Sequence, residues 1–599
     1  MTPATIPTRS EIKAQDTWDL SGLYKDLSGW EKDITTLQEK TKELSAYQGR
    51  LGESIEIFHE ALVWNENLGQ LMERLGHYSG LRATEDLSDQ KILELQGRFE
   101  ALAVEVGAGL SWWDPELMSI PEPIMNEWLK SPLLSSYRVM LEKVLRFRPH
   151  TLTPGEERLL SLGAQARGAV GDTFNALTNV DLKFESVKTP EGELPLTQST
   201  FSLFLQNPDR EIRLEAFKKF YNEFSDHAHT LSNLYAGSIH QDIFLARASH
   251  FHSSLDRSLF PDKVPVEVYD TLITTVRESL PILHHYYGLR KKALGVERLH
   301  HADMYAPLVA NANLSHSWDE AVGRILTSLE PLGVEYTSTL RAGLLGRWCD
   351  RYENKGKRSG AFSSGGWFGE PYILMNYHDE NLRDVFTLAH EAGHSMHSWY
   401  SVKSNPYSSY NYTIFEAEVA STFNEQLLAR HLLSSATDAR LRSSILGKQI
   451  EDFVATFFRQ TMFAEFERAV HLHAESGGGL TLDFFRTTYR SLLQDYFGPE
   501  VEFSEQSDLE GLRIPHFYRA FYVYKYATGL AASIALSRKV LEGGEKERED
   551  YLNFLKSGGS RYPIDSLKAG GVDMSTKEPL LLAIDQFKKN LDEFELANP

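Results

Sequence analysis

From about Leu20 to Trp128, apolar residues recur at three- and four-residue intervals, as in Trp64, Leu68, Leu71 and Leu75. This spacing predicts long amphipathic helices. Pro115, Pro121, Pro123, Pro132, Pro149 and Pro154 then interrupt the rhythm and mark turns and short helices. Between residues 181 and 196 the period changes. Asp181-Leu-Lys-Phe-Glu-Ser-Val and Leu194-Pro-Leu alternate apolar and polar positions around a Pro/Gly turn, which predicts a β-hairpin. From Asp209 the helical period returns, and helices are expected to dominate to the end. The expected fold class is therefore mainly α with small β elements. Residues 1–200 are read as an N-terminal helical lobe carrying the hairpin near 181–196, and residues 201–599 as the domain that holds the chemistry. The charged stretch from Glu542 to Glu549 reads as a solvated helix face.

Composition narrows the function classes. A chain of 599 residues with 42% hydrophobic and 24% charged residues folds into a large compact protein with more than one lobe. With 62 basic against 83 acidic residues, the formal charge of −21 opposes non-specific binding to nucleic acid or to anionic lipid. A single cysteine, Cys349, excludes an intramolecular disulfide and a cysteine-rich metal site, which suits a reducing cytosol. The first residues lack the apolar core of a secretory signal, and no apolar run approaches bilayer length. A cytoplasmic location is expected, with no membrane, nucleic-acid or obligate protein partner.

The strongest chemical signal is Leu388-Ala-His390-Glu391-Ala-Gly-His394-Ser-Met-His397, an H-E-x-x-H sequence inside a helical pattern that begins near Asp379. Residues four apart lie one turn above each other on a helix, so the imidazoles of His390 and His394 can converge on one ion. A catalytic zinc takes three protein ligands and keeps a fourth position for water. Glu391 stands beside that position and can take a proton from the water as it attacks a carbonyl. Chance placement yields on the order of 0.06 such motifs in a chain of this composition, so a third ligand is needed to complete the case.

Downstream, Tyr412-Thr-Ile-Phe-Glu-Ala-Glu-Val-Ala-Ser-Thr-Phe-Asn-Glu425 has a helical pattern. Glu418, Thr422 and Glu425 share one face of that helix, whereas Glu416 points roughly the other way. Glu418 is the expected third ligand, and Glu425 the expected partner of a ligand histidine. Ordinary solvated helix charges are the competing account of these glutamates. His397 can be a fourth ligand, an outer donor or a packed helix histidine. A fourth protein ligand would close the site, which favours the outer donor.

These two stretches together resemble the oligoendopeptidase F family of the thimet oligopeptidase superfamily. The likeness extends to Thr17-Trp-Asp-Leu-Ser-Gly-Leu-Tyr, to Lys355-Gly-Lys-Arg-Ser-Gly-Ala-Phe-Ser-Ser-Gly-Gly and to Pro371-Tyr-Ile-Leu-Met-Asn376. It spans nearly the whole chain. The resemblance implies a two-lobed helical ellipsoid with a deep channel that admits oligopeptides, with one Zn2+ per chain on the channel floor. It also implies His390, His394 and Glu418 as zinc ligands, and Glu391 as the base that returns its proton to the leaving amine.

Two further segments gain a role beside the motif. Gly365-Gly366-Trp-Phe-Gly369 precedes Pro371-Tyr-Ile-Leu-Met-Asn376, where glycine permits close backbone approach and a starting proline suits an edge strand. An exposed edge pairs with an extended peptide, so Gly365, Gly366, Tyr372, Ile373 and Met375 are candidate substrate-binding residues. An ordinary loop and buried strand is the alternative. In Pro515-His516-Phe-Tyr518-Arg-Ala-Phe-Tyr522-Val-Tyr524-Lys-Tyr526, tyrosines four apart form one helical stripe, either an aromatic core face or a donor array for an oxyanion. In the thimet branch a His and Tyr pair from the matching region is thought to stabilise the tetrahedral intermediate, at a slightly different spacing. The resemblance thus points to His516, Tyr522 and Tyr526.

The sequence therefore predicts a zinc-dependent oligopeptidase that hydrolyses internal bonds of short unstructured peptides. A zinc carboxypeptidase, for which Arg513 and Arg519 could supply a cationic pocket, and a non-catalytic peptide-binding protein are the alternatives.

Overall fold

The computed structural model describes residues 6–190, 192–309 and 315–598. It is mainly helical, as the periodicity predicts. The chain gathers into two compact units, each assembled from separate stretches. One draws on Met1–Thr151, Asn313–His431 and Leu536–Val572, the other on Leu152–Ala312, Leu432–Ala535 and Asp573–Pro599. A single cut near residue 200 does not describe this packing. Proline clusters mark local breaks in the chain, whereas the units are defined by contacts between distant stretches.

Five helices carry the residues of interest and are numbered in chain order: α1 (Ile55–Glu85), α2 (Leu382–Ser404), α3 (Ile414–Ser435), α4 (Arg459–Glu475) and α5 (Tyr524–Glu542). Ser54 starts α1 by accepting the Ile57 N–H, and the helix runs for 31 residues without a proline. Its buried Leu68, Leu75 and Tyr78 pack with Trp18, Trp30 and Ile34 into a core that also contains Tyr372 and Leu374. Burying each such large side chain contributes about 1.5–3 kcal/mol. In the second unit, Phe201, Phe217, Phe220 and Phe224 form an aromatic core, with the Phe201 and Phe220 rings stacked 3.7 Å apart.

Strands are few and short. The expected hairpin consists of β1 (Val187–Thr189) paired antiparallel with β2 (Gly192–Leu194). Residues 177–181, which overlap the start of the alternating segment, continue a helix as a wide π-helical turn instead. β3 (Leu299–His300) pairs with β7 (Val501–Glu502). The sheet that bears on function has the order β4 (Cys349–Asp350), β6 (Tyr372–Leu374), β5 (Phe362–Ser364). Of its two outer strands, β5 runs antiparallel to β6 with Ser363 opposite Ile373, and β4 runs parallel to it. Among the described residues no helix is long and apolar enough to cross a membrane.

Candidate metal centre and its surroundings

Helix α2 begins where the Asn381 side chain accepts the Arg383 N–H, with Asp384 in the first turn to favour the helix dipole. Val385, Phe386, Leu388, Ala389, Ala392 and Met396 bury one face, which fixes the rotation that leaves His390 and His394 partly exposed beside α3. Gly393 sets how closely the two helices approach. A Cβ at Gly393 would stand 2.4 Å from the Ala420 carbonyl oxygen and 2.6 Å from the Ser421 Cα, so only glycine fits. The Asn424 amide bridges the same crossing by donating to the Ala389 carbonyl at 3.2 Å.

This crossing brings His390, His394 and Glu418 together, with one ligand atom from each lying within 4.8 Å of the others. The two Nε2 atoms are 3.2 Å apart, and His390 Nε2 is 3.6 Å from Glu418 Oε2. On the far side of its ring, His390 Nδ1 meets Glu425 Oε1 at 2.5 Å. The Ala417 backbone hydrogen-bonds the His394 ring. Each ring is thus held in place while its Nε2 turns inward. Two imidazole nitrogens and one carboxylate oxygen, with a carboxylate behind the first histidine, form a donor set that suits a zinc-type cation.

Electrostatics follow from burial and crowding. Burial depresses His390, but the hydrogen bond to Glu425 and the charges of Glu425, Glu391 and Glu418 more than offset it, raising the ring to about 9. Burial and the neighbouring His390 push His394 down to about 3. Burial pushes the Glu391 carboxyl up to about 7, against the pull of His390 and a hydrogen bond from the Ser363 backbone, with Glu418 adding to the rise.

With this geometry in view, the relatives are informative. Residues 203–586 match Peptidase family M3, and residues 116–184 match Oligopeptidase F. The chain belongs to peptidase family M3, among the oligoendopeptidase F peptidases. The oligoendopeptidase F homolog of Borreliella burgdorferi is 42% identical, with 98% of this chain and 99% of that one covered. Oligopeptidase PepF of Bacillus subtilis is 40% identical over 98% of this chain and 88% of its own. Among solved structures, a putative peptidase from Chlamydophila abortus superposes with a TM-score of 0.93 at 35% identity, covering 99% of this chain and 100% of the other. Oligoendopeptidase-F from Enterococcus faecium gives 0.75 at 30% identity, covering 95% and 99%.

In this M3 peptidase, Glu416 does point away from the cluster, yet it is not a solvated charge. It is 1% exposed and turns back to accept the Thr413 N–H at 3.3 Å, closing the first turn of α3. The expectation for His397 needs correction. Its ring is fully buried, stacked 3.6 Å from Tyr412 and tilted 5.3 Å from Phe554, and neither nitrogen has a hydrogen-bond partner among the described residues. It packs as an aromatic and donates to nothing at the cluster.

The edge-strand expectation also changes. Tyr372 and Ile373 lie in β6, the central strand, and with Met375 they are at most 2% exposed. The outer strands are β4 and β5, and the Ser363 backbone of β5 reaches Glu391 while its hydroxyl lies 2.8 Å from that of Ser395 on α2. Proline at 371 marks only the start of the strand, a position where no ladder N–H is required. Gly365 and Gly366 are small for internal reasons. A Cβ on Gly365 would stand 2.3 Å from the Ser398 Cβ, and one on Gly366 would stand 2.8 Å from His77 Nδ1. Glu73 and His77, on α1, fix this loop: Glu73 accepts the Trp367 N–H at 2.5 Å and the Tyr410 hydroxyl at 2.7 Å, and His77 Nε2 lies 2.9 Å from the Ser364 hydroxyl. The sequence carries no local signal for either residue, because they stand almost 300 positions before the loop they hold.

In the second unit, the tyrosines do not form one helical stripe. The turn Pro515–Tyr518 ends before α5 begins at Tyr524, and Phe521 between them has φ +57°. His516, Tyr522 and Tyr526 nevertheless gather, with the His516 ring 6.2 Å from Tyr522 and 6.0 Å from Tyr526, and the two phenols 5.5 Å apart. Tyr518 turns elsewhere and stacks 4.2 Å from Phe174.

Proposed function

We propose that this peptidase is a zinc-dependent endopeptidase that cuts internal bonds of short unstructured peptides in the cytoplasm, with one zinc per chain. The convergence of His390 Nε2, His394 Nε2 and Glu418 on one point, with Glu425 behind His390, carries the reading. His390, His394 and Glu418 would hold the zinc, which would supply Lewis acidity to a water and to a peptide carbonyl. Glu391 takes the proton from the attacking water and delivers it to the departing amine. Glu425 keeps the His390 proton on Nδ1 and its lone pair on Nε2. The outer edge of β5 offers backbone groups to an extended substrate, and His516, Tyr522 and Tyr526 donate to the developing oxyanion.

The carboxypeptidase reading loses one of its supports. Arg513 is committed to Tyr221 at 3.0 Å and Glu510 at 3.4 Å within its own unit, so it offers no free cation for a terminal carboxylate. The deciding experiment is hydrolysis of an internally quenched peptide by the purified protein, before and after chelation and after zinc is restored. Loss on chelation and recovery with zinc is the expected result. Undiminished hydrolysis by metal-free protein would refute the assignment.

A further inference from the structure

Glu467 on α4 is fully buried, and no cation stands beside it. A carboxyl in such a place is costly unless a specific contact requires it. Its Oε1 accepts the backbone N–H of Phe521 at 2.8 Å, and its Oε2 has no hydrogen-bond partner among the described residues. Phe521 is one of three non-glycine residues with positive φ among the described residues, and left-handed backbone is strained for a bulky side chain. Its ring is buried against His471, 4.5 Å away and one turn after Glu467 on the same helix, and lies edge-on to Tyr269. Helix α4 thus grips residue 521 twice, by its amide and by its ring.

The strained residue sits at the point where the tyrosine spacing is broken. A helical backbone at 521 would keep Tyr518, Tyr522 and Tyr526 on one stripe. The left-handed turn sends Tyr518 against Phe174 and leaves Tyr522 and Tyr526 beside His516. We propose that Glu467 is a positioning residue, which holds the left-handed turn at Phe521 and thereby assembles His516, Tyr522 and Tyr526 as a donor set. This rests on the oxyanion role given to those three residues above. Burial and the nearby Asp242 push the Glu467 carboxyl well above the usual range, so a neutral acceptor suffices.

The test compares Glu467→Met, which keeps length and removes the acceptor, with Glu467→Gln, which keeps the acceptor. In full-length, zinc-loaded protein, Glu467→Met should lower kcat on a quenched peptide about 10- to 100-fold, with KM within about threefold. Metal content should be unchanged, and amide hydrogen exchange at Phe521 should accelerate. Glu467→Gln should match the parent in both rate and exchange. In a His516→Ala/Tyr522→Phe/Tyr526→Phe background, adding Glu467→Met should cost less than about threefold, because the donors it positions are gone. An equal loss in the Gln variant, or an undiminished loss in the donor-free background, would overturn the proposal. If Glu467→Met does not fold, Glu467→Asp withdraws the acceptor by roughly 1.5 Å and should lower kcat while Gln does not; the opposite order would assign the role to charge and overturn positioning. Full kcat in the His516→Ala/Tyr522→Phe/Tyr526→Phe variant would overturn the oxyanion reading and the inference with it. A loss there beside normal kcat in Glu467→Met would overturn the positioning inference alone.

Discussion

Glu425 Oε1 lies 2.5 Å from His390 Nδ1, behind the ring whose opposite nitrogen faces His394 and Glu418. Two carboxylates from one face of α3 therefore bracket a single imidazole, one as a candidate ligand and the other as the group that orients it. Their spacing of seven residues, two helical turns, makes this possible.

Replacing Glu425 with alanine frees the His390 ring to rotate and lets its lone pair appear on either nitrogen. Zinc affinity should fall about 10- to 100-fold, as for other partners behind a ligand histidine. Titration with zinc against a competing chelator measures the change. An unaltered affinity would leave Glu425 without this role.

Glu391→Gln removes a base without removing a ligand. The protein should keep its zinc and its melting temperature, and kcat should fall about 10²- to 10⁴-fold. Metal analysis and turnover of a quenched peptide on the same sample separate the two effects, and near-normal turnover would take Glu391 out of the proton transfer.

His394→Ala and Glu418→Ala should each lower zinc occupancy, whereas Glu416→Ala should not. Glu416 instead closes the first turn of α3 from a buried position, so its loss should lower stability by about 1–3 kcal/mol. Metal content and thermal melting of the three variants form the comparison. Zinc loss in Glu416→Ala at full stability would mean that the opposite face of α3 binds the metal.

The pattern of the chain made part of this site legible. Helical spacing placed His390 over His394 and put Glu418 and Glu425 on one face, because the two periods involved are local and rigid. It failed at His397, whose burial against Tyr412 and Phe554 is set by elements distant in the sequence. It failed again at the tyrosines, where a four-residue spacing reads as a helix until Phe521 leaves helical space. The edge of the small sheet was assigned to the wrong strand, since Tyr372–Leu374 is continuous and apolar, as a central strand is, while the outer strands Cys349–Asp350 and Phe362–Ser364 are short and more mixed in sequence. Gly393 was readable in principle, because a glycine inside a helix often marks a close crossing.

A separate prediction concerns stability. Glu510 is buried in the second unit, where it pairs with Arg459 at 2.7 Å and accepts the Tyr489 hydroxyl at 2.8 Å. Burial raises its carboxyl, but Arg459, His301 and Arg513 outweigh that and hold it down at about 2. Glu510→Gln leaves Arg459 buried without its counter-charge and should destabilise the fold by about 3–5 kcal/mol. Because the folded value lies below the ordinary one, this contribution is complete above the usual glutamate range and fades as pH falls toward about 2. Melting curves of parent and variant should therefore stay far apart at neutral pH and draw together in acid. A gap that does not depend on pH would place the loss in packing.

The last prediction separates internal from terminal cleavage. A substrate that pairs its backbone with the outer edge of β5 is recognised through N–H and C=O groups that recur along any extended chain, and its end charges contribute nothing. Arg513, one of the two cations that the sequence offers to a free carboxylate, is already paired with Glu510 and Tyr221. Peptides of ~5–20 residues with acetylated and amidated ends should therefore be cut at interior bonds at rates within about threefold of their free-ended versions, since the groups that pair are unchanged. A stably folded protein should resist, because its backbone groups are already paired and cannot add to a strand edge. Mass spectrometry of the products, with and without chelator, reads both results. Loss of hydrolysis on amidation, with release of single C-terminal residues from free peptides, would move the assignment to a carboxypeptidase. Chelator-sensitive digestion of the folded protein would show that a free, extended backbone is not required.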